Sequence, residues 1–303
     1  MIKYSVIIPQ RNNVAGVQRL VGSLPRRTDL EILISDDHSD QQVWDQLTAS
    51  FGQMAGVQVF HSQGRGAGAA RNQALARAQG EWLVFADSDD QFTTDALTIL
   101  DQECQSKAEV IYFYPLTSQM AVNDYRVNYQ RKFQQYFQAP TLKNEWNLRL
   151  NFDVPWSKAV RRSLVVQHQF QFDQTRKQND TLFAQKIGIN AEQVKIVDRS
   201  IYLVIDTKGS LSHTTNRQIF NDIVGVRIRS YQLKVRSLPR PKLLEWDPDF
   251  LQVPLRTVLY AYRDFRSLRY SAVVYRRFRK TGIPVFSRQA VGRLVHEVVR
   301  SKM

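Results

Sequence analysis

Short runs of apolar, mostly β-branched residues alternate with amphipathic stretches along the first third of the chain. The runs are strand-length, and the stretches between them carry apolar residues three and four positions apart, as helices do. The predicted strands are residues 5–9, 31–35, 57–60, 82–86 and 110–114. The predicted helices are residues 13–24, 43–51, 68–79 and 94–105.

Strand and helix thus alternate four times within the first 115 residues. This pattern predicts an α/β fold, with a mostly parallel central sheet flanked by helices. Ligands bind beyond the carboxyl ends of the strands in such sheets. Polar residues follow three of the strands, at Asn12, 36–37 and 87–90. A ligand site is therefore expected at one edge of the sheet.

The pattern changes further along the chain. Residues 116–215 are polar and aromatic at first, then more ordered, and they end in strand-like alternation. From about residue 216 the sequence is helical and basic, and it is interrupted by a proline-rich segment at 237–241. We therefore predict a domain over 1–215, with halves 1–115 and 116–215, and a basic helical region over 216–303.

Composition narrows the classes of protein. Hydrophobic residues make up 43% of the 303 residues, which is sufficient for a large core and excludes a disordered chain. Cys104 is the single cysteine, which excludes an internal disulfide and a cysteine-based zinc site. No apolar run reaches the length of a membrane span, and the N-terminus has no signal-peptide layout. A cytoplasmic location is expected.

Positive charge is concentrated near the C-terminus. Residues 260–303 contain eleven Lys or Arg and two acidic residues, a balance of +9 within the chain's net +14. Arginine and aromatic residues on amphipathic helices are typical of an interfacial membrane anchor. We therefore predict that the basic region binds an anionic membrane surface, the inner face of the cell membrane. A solvated helical cap on the domain over 1–215 is the alternative.

Two acidic clusters and a glycine-rich loop are candidates for chemistry. Asp87 and Asp89 follow a buried strand and present the oxygen ligands that Mg²⁺ or Mn²⁺ prefers, although capping of the next helix is equally consistent. The cluster at 36–40 is likewise consistent with two roles, binding of a ligand by its carboxylates or formation of a turn. The loop at 63–72 resembles a phosphate cradle in outline, without Walker or dinucleotide-binding spacing, and its glycines also suit a simple turn.

The order of these motifs resembles family 2 glycosyltransferases, which have the nucleotide-sugar-binding GT-A fold. The segments that carry the resemblance are 5–9, 36–39, 68–75 and 85–90, and, on the acceptor side, 156–163 and 179–183. Together they span roughly residues 3–215. The resemblance implies that 1–115 is the nucleotide-binding half and 116–215 the acceptor-side half.

The resemblance also implies residue roles on the donor side. A UDP-sugar is the favoured donor, and Mn²⁺ or Mg²⁺ is the expected cofactor. Asp37 is expected on the base, Asp87 and Ser88 against ribose and phosphate, and Asp89 with Asp87 on the metal. The residues expected to hold the nucleoside are Pro9, Arg11, Asp37 and Arg71. Many relatives carry an aromatic residue at the position of Arg11, whose guanidinium can also stack on a ring.

On the acceptor side, Asp180 matches the family's catalytic base, and Asn179 replaces the glutamate that usually precedes it. One base and one displacement imply an inverting, hexosyltransferase-type reaction. A cap on the helix that follows is the alternative role for Asp180. Trp156 and Lys158 are expected in the acceptor pocket, although Trp156 also suits the core. His213 is a candidate third metal ligand or a solvated loop residue.

The expected acceptor is a hydroxyl of a glycan or of a lipid-diphosphate-linked sugar, in cell-surface polysaccharide synthesis. Two alternatives remain. A sugar-phosphate nucleotidyltransferase needs a glycine-rich loop after strand one, and here no glycine occurs until Gly16. A basic nucleic-acid-binding protein would explain the charge but lacks a binding signature, so no nucleic-acid partner is expected.

Overall fold

The structure is a computed structural model that describes residues 1–118, 125–205 and 216–286. Its contacts divide the chain into two units, Met1–Leu211 and Ser212–Met303. The first unit combines helices with two β-sheets, and the described part of the second is helical. The predicted α/β class with a helical C-terminal region is confirmed.

The first unit contains most of the regular structure. Its described strands are β1 (Tyr4–Gln10), β2 (Leu30–Asp36), β3 (Val57–His61), β4 (Trp82–Phe85), β5 (Gln91–Phe92), β6 (Val110–Phe113), β7 (Leu116–Thr117), β8 (Lys158–Arg161), β9 (Val194–Val197) and β10 (Tyr202–Val204). Its described helices are α1 (Val14–Gly22), α2 (Gln41–Phe51), α3 (Ala67–Leu75), α4 (Ala96–Glu103), α5 (Tyr125–Gln138), α6 (Leu142–Asn151), α7 (Arg162–Gln167) and α8 (Thr181–Asn190).

The central sheet has seven strands in the order β3-β2-β1-β4-β8-β6-β9. β1 pairs in parallel with β2 and β4, whereas β8 lies antiparallel between β4 and β6. The sheet is therefore mostly parallel, as predicted. Gln10 pairs with Asp36 at the last position of β1 and β2. The carboxyl ends of these strands consequently meet at one edge.

The core surrounds this sheet. Every residue of β1 and β2 is buried, because helices cover both faces of a sheet of this type. A second sheet has three short strands in the order β5-β10-β7. Tyr202 on β10 pairs with Phe92 on β5, so the small sheet holds Tyr202 next to the segment that follows β4.

The second unit has a core of its own. Its described elements are α9 (Arg217–Ser237), α10 (Arg240–Trp246), a 3₁₀ turn (Phe250–Gln252), α11 (Val253–Phe265) and α12 (Leu268–Lys280). Phe220, Val224 and Phe278 are among its buried residues. A buried ion pair joins Lys234 to Asp247 at 2.6 Å. Among the helices that the structure describes, none combines the length and apolarity that crossing a bilayer requires.

Candidate active site

The acidic residues after β2 have different roles. Asp36 is fully buried and accepts hydrogen bonds from the Gln10 side chain and, at 3.0 Å, from the backbone N–H of Ser39. His61 Nδ1 lies 3.2 Å from Asp36 Oδ2, the oxygen that also accepts from Ser39. Asp36 therefore fixes the ends of β1, β2 and β3 to one another, which is a structural role.

Asp37 directly follows β2, and Pro9 and Arg11 lie at the end of the neighbouring strand β1. All three are therefore at the edge of the sheet where the carboxyl ends of the strands meet. The backbone N–H of Gly66 donates to Asp37 Oδ1 at 2.8 Å. Pro9 is buried in β1, and Arg11 is exposed immediately beyond the strand. The prediction that this loop is a phosphate cradle is wrong for Gly66, because its backbone N–H already donates to the carboxylate of Asp37. Its φ of +90° explains the glycine, since other residues rarely adopt that conformation.

Helix α3 lies directly against the segment 172–179. A Cβ atom at Gly68 would overlap the backbone carbonyl oxygen of Asp173, so only glycine permits this approach. The side chain of Asn72 donates to Phe172 O at 2.9 Å and accepts from Phe172 N–H at 2.8 Å. The glycine and asparagine of this motif thus join α3 to the chain that leads into α8.

Gly68→Ala is expected to lower the free energy of unfolding by about 1–3 kcal/mol, because the added methyl group forces α3 away from residue 173. The loss is measured by denaturant unfolding. Gly22→Ala is the matched control, since a Cβ there has no neighbouring atom within 4 Å. An equal stability of the two variants would contradict the close packing at Gly68.

Arg71 connects two distant segments of the first unit. Its buried guanidinium forms an ion pair with Asp87 after β4 and donates to Asn179 Oδ1 at 2.7 Å. The positions 71, 87 and 179 come from distant parts of the sequence. The structure thus brings the acidic turn after β4 and the segment before the start of α8 to the two terminal nitrogens of one arginine.

Asp180 occupies the residue before α8, but its side chain makes no capping hydrogen bond. The capping alternative is therefore wrong for this carboxylate. Burial raises the pKa of Asp180 to about 7; the charge of Arg71 lowers it, and the charges of Asp153 and Asp87 raise it. A carboxylate that is half ionised near neutral pH suits a general base.

Asp153, which sequence reasoning missed, fixes the start of α8. It accepts hydrogen bonds from the hydroxyl groups of Tyr129 at 2.6 Å and Thr181 at 3.0 Å. These contacts join α5 to the residue that follows Asp180. The sequence offers no signal for this role, because an isolated aspartate two positions before a proline also suits a turn.

Tyr202, also missed, organises the acidic turn after β4. Its hydroxyl accepts from the backbone N–H of Asp87 at 2.7 Å and donates to Asp90 Oδ2 at 2.8 Å. Burial, together with the charges of Asp87 and Asp89, raises the pKa of Asp90 to about 8. Helix α4 begins only after Asp95, so the alternative that residues 87–90 cap it is wrong.

Ser88 is held from the other side by the start of α1. The Asn13 side chain donates to Ser88 O at 3.2 Å and to Ser88 Oγ at 3.3 Å. It also accepts from Gly16 N–H at 3.1 Å, and a Cβ atom at Gly16 would overlap Ser88 O. The turn at 87–89 is therefore fixed by both neighbouring elements, and Asn13 was not recognised from sequence.

The donor atoms in this turn fit a hard divalent cation. Within residues 1–118, 125–205 and 216–286, no three His, Cys, Asp or Glu side chains are grouped so as to hold a metal ion. An ion here would bind Asp89, with or without Asp87, and would take its other ligands from a diphosphate and water, as Mg²⁺ commonly does. The pKa of Asp90 is raised mainly by burial and in part by repulsion from Asp87 and Asp89, and a cation here would relieve that repulsion. His213 lies outside the described residues.

The structure places Trp156 and Lys158 in the core. Trp156 is 3% exposed and stacks on Tyr202, with ring centroids 6.0 Å apart. Lys158, on β8, is 1% exposed and donates to the backbone carbonyl oxygens of Phe152, at 2.8 Å, and Val154. The predicted acceptor contacts are wrong for this structure, because neither side chain presents a surface to a ligand.

Comparisons with known proteins identify the family. The family described as "Glycosyl transferase family 2" matches residues 5–168. A poly(ribitol-phosphate) beta-N-acetylglucosaminyltransferase, TarS, of Staphylococcus aureus is 27% identical over 221 residues, which cover 69% of this chain and 36% of TarS. A cholesterol galactosyltransferase of Borreliella burgdorferi is 26% identical over 230 residues, covering 69% of this chain and 62% of that protein. The chain therefore spans less than two thirds of either relative.

Solved structures agree on the fold. Residues 1–349 of Staphylococcus aureus TarS match with a TM-score of 0.62 at 18% identity and cover 92% of each chain. A Pyrobaculum calidifontis mannosyltransferase, PcManGT, solved with GDP-Man and Mn²⁺, matches with a TM-score of 0.56 at 14% identity, covering 99% of this chain and 81% of the other. The family match covers more than half of the chain. On this evidence, the chain belongs to glycosyl transferase family 2 and has the GT-A fold.

Proposed function

We propose that this enzyme transfers a sugar, with inversion and with Mn²⁺ or Mg²⁺, from a nucleoside diphosphate to a hydroxyl group of a glycan or lipid-diphosphate-linked acceptor. The observation that carries the proposal is the bridge made by Arg71. It joins Asp87, in the turn suited to a cation and diphosphate, to Asn179 beside Asp180. On this proposal, a donor-side carboxylate and a candidate base belong to one site.

The donor is held at the carboxyl ends of β1, β2 and β4. Pro9, Arg11 and Asp37 hold the nucleoside, and Ser88 lies against ribose and phosphate, with Arg71 close by. Asp89 and Asp87 would hold the metal ion, which, when bound, would supply positive charge against the leaving diphosphate. A UDP-sugar is favoured, since TarS has been solved with UDP-GlcNAc and with UDP.

The acceptor reacts on the side of Asp180. This carboxylate takes the proton from the acceptor hydroxyl as its oxygen bonds to the anomeric carbon, and the bond from that carbon to the diphosphate oxygen breaks. A single displacement from the face opposite the leaving group inverts the anomeric configuration. Asp153 and Arg71 position the base through the start of α8.

The proposed cellular role is cell-surface polysaccharide synthesis at the cytoplasmic face of the membrane. Residues 1–115 serve the donor and 116–215 the acceptor, while the basic region 216–303 holds the enzyme on anionic lipid. The family match argues against the nucleotidyltransferase alternative. The positive charge, +14 over the chain, supports the membrane contact through attraction to anionic lipid.

Product analysis tests the reaction. The purified enzyme is incubated with UDP-sugars and GDP-sugars of the α configuration, Mn²⁺ and simple sugar acceptors, and the new linkage is examined by NMR spectroscopy. We expect β-linked product from a UDP-sugar and loss of activity with EDTA that Mn²⁺ restores. An α-linked product would contradict inversion, and full activity in EDTA would contradict the metal requirement.

The pH dependence follows from Asp180. Because its pKa is raised to about 7 and the ionised form is the base, kcat/KM for transfer is expected to rise about tenfold per pH unit up to pH 7 and then to level off. Steady-state rates between pH 5 and 8.5 measure this. Circular dichroism at each pH shows that the fold persists. A plateau that already extends below pH 5 would contradict the assignment.

A further inference from the structure

The two last described helices form a hairpin with a fixed turn. Only Arg266 and Ser267 separate α11 from α12. The Ser267 hydroxyl accepts from the backbone N–H of Tyr270 at 3.2 Å and so caps α12. The Phe265 ring packs edge-on against Phe220 and Tyr270, with centroids 5.4 and 5.1 Å away. The turn therefore presents its side chains from a rigid base.

We call residues 262–269 the hairpin tip. Two of its apolar or aromatic side chains are exposed, Leu268 at 76% and Tyr262 at 43%. Single exposed apolar residues are ordinary, but these two lie within seven positions of each other beside three arginines. An exposed leucine at the first position of a helix adds nothing to the core of the second unit.

The charge of the hairpin tip is positive and partly uncompensated. Arg263 pairs with Asp264 at 2.6 Å. Arg266 and Arg269 are exposed, and neither forms an ion pair with any residue that the structure describes. Over residues 216–286, fifteen Lys or Arg accompany five Asp or Glu. Such a surface is complementary to an anionic layer.

We propose that the hairpin tip is the part of this enzyme that enters an anionic bilayer, with Leu268 and Tyr262 at the boundary of headgroups and acyl chains and Arg266 and Arg269 on lipid phosphates. Apolar and aromatic side chains flanked by arginine are what an interfacial contact uses. This inference rests on the proposed membrane location and assigns the contact to defined residues. An anionic polymer such as RNA would attract the arginines but would leave Leu268 without a role.

Flotation of the 303-residue chain with vesicles of 30% phosphatidylserine in phosphatidylcholine tests the proposal. We expect Leu268→Asp to lower the partition coefficient at least tenfold, whereas Val235→Asp, at a site on α9 that is 49% exposed, changes it less than threefold. Asp is favourable in the first turn of a helix, so Leu268→Asp retains the fold. Each cation near an anionic leaflet contributes a factor of about five, so R266A/R269A should lower partition about 25-fold. The matched control is R236A/R240A.

Equal effects of Leu268→Asp and Val235→Asp would overturn the proposal, as would equal binding to vesicles of phosphatidylcholine alone. Retention by polynucleotide that survives Leu268→Asp, without any flotation, would assign the surface to nucleic acid instead. UDP binding with Mn²⁺, followed by thermal shift, is expected to be the same in all four variants. That measurement separates failure at the membrane from failure of the proposed transferase site.

Discussion

Replacing Asp180 by asparagine is expected to lower the rate of sugar transfer by about 10²–10⁴-fold, the usual contribution of a general base. Asparagine has nearly the same shape but accepts no proton from the acceptor hydroxyl. The side chain does not cap α8, so the substitution removes no helix-stabilising bond. Initial rates with the preferred donor, at saturating concentrations, measure the loss.

The stability of the Asp180 variant provides an independent check. A pKa raised in the folded state means that ionisation of Asp180 costs stability as the pH rises from about 4 to about 7. The neutral asparagine avoids this cost, so the melting temperature at pH 8 should equal or exceed that of the wild type. Asp198→Asn, at an exposed residue after β9, is the control and should leave the rate unchanged. Transfer by Asp180→Asn within tenfold of the wild-type rate would exclude it as the base.

The second large effect is expected at Asp89. Asp89→Asn should lower transfer on the order of 10²–10³-fold, because charge stabilisation at the leaving group is commonly worth that much. The variant should also bind UDP more weakly in Mn²⁺, with little change in EDTA. Titration of UDP by calorimetry, with and without the ion, separates these two conditions.

Asp95→Asn is the control for Asp89. Asp95 is an exposed aspartate a few residues further along, before α4, and it makes no side-chain cap. The Asp95→Asn substitution removes one negative charge, as Asp89→Asn does, but it leaves the acidic turn at 87–89 unchanged. If both variants lose UDP affinity equally, the effect at Asp89 is one of general charge, and its role as metal ligand is contradicted.

The acidic turn also shows why catalytic and supporting residues differ in how well a sequence reveals them. Asp87, Ser88 and Asp89 stand out because three polar residues directly follow a buried strand. Asn13 and Tyr202 hold the same turn through hydrogen bonds to Ser88 and to the backbone N–H of Asp87. An asparagine before a helix and a tyrosine in a short strand suit many other roles, so neither is distinguished by sequence.

Trp156 and Lys158 illustrate an error in the opposite direction. Both are residue types that contact sugars, and the family resemblance places them on the acceptor side. Both side chains are buried and do not contact an acceptor. Strand β8 lies between β4 and β6, and Lys158 on this strand is therefore in the interior. Backbone carbonyl oxygens from 152 and 154 receive its ammonium group there. An antiparallel strand inside a parallel sheet has no local sequence signal.

The sequence by itself determined five strands within the first 115 residues, the four helices between them and the polar residues at the strand ends, because hydrophobic periodicity and strand length are local properties of the chain. Only the tertiary structure decided which of these residues meet. Gly68 brings α3 against the segment before α8, and Arg71 then joins Asp87 to Asn179 across about a hundred positions of sequence. Contacts over such separations depend on how helices pack on the sheet, and no window of sequence records that packing.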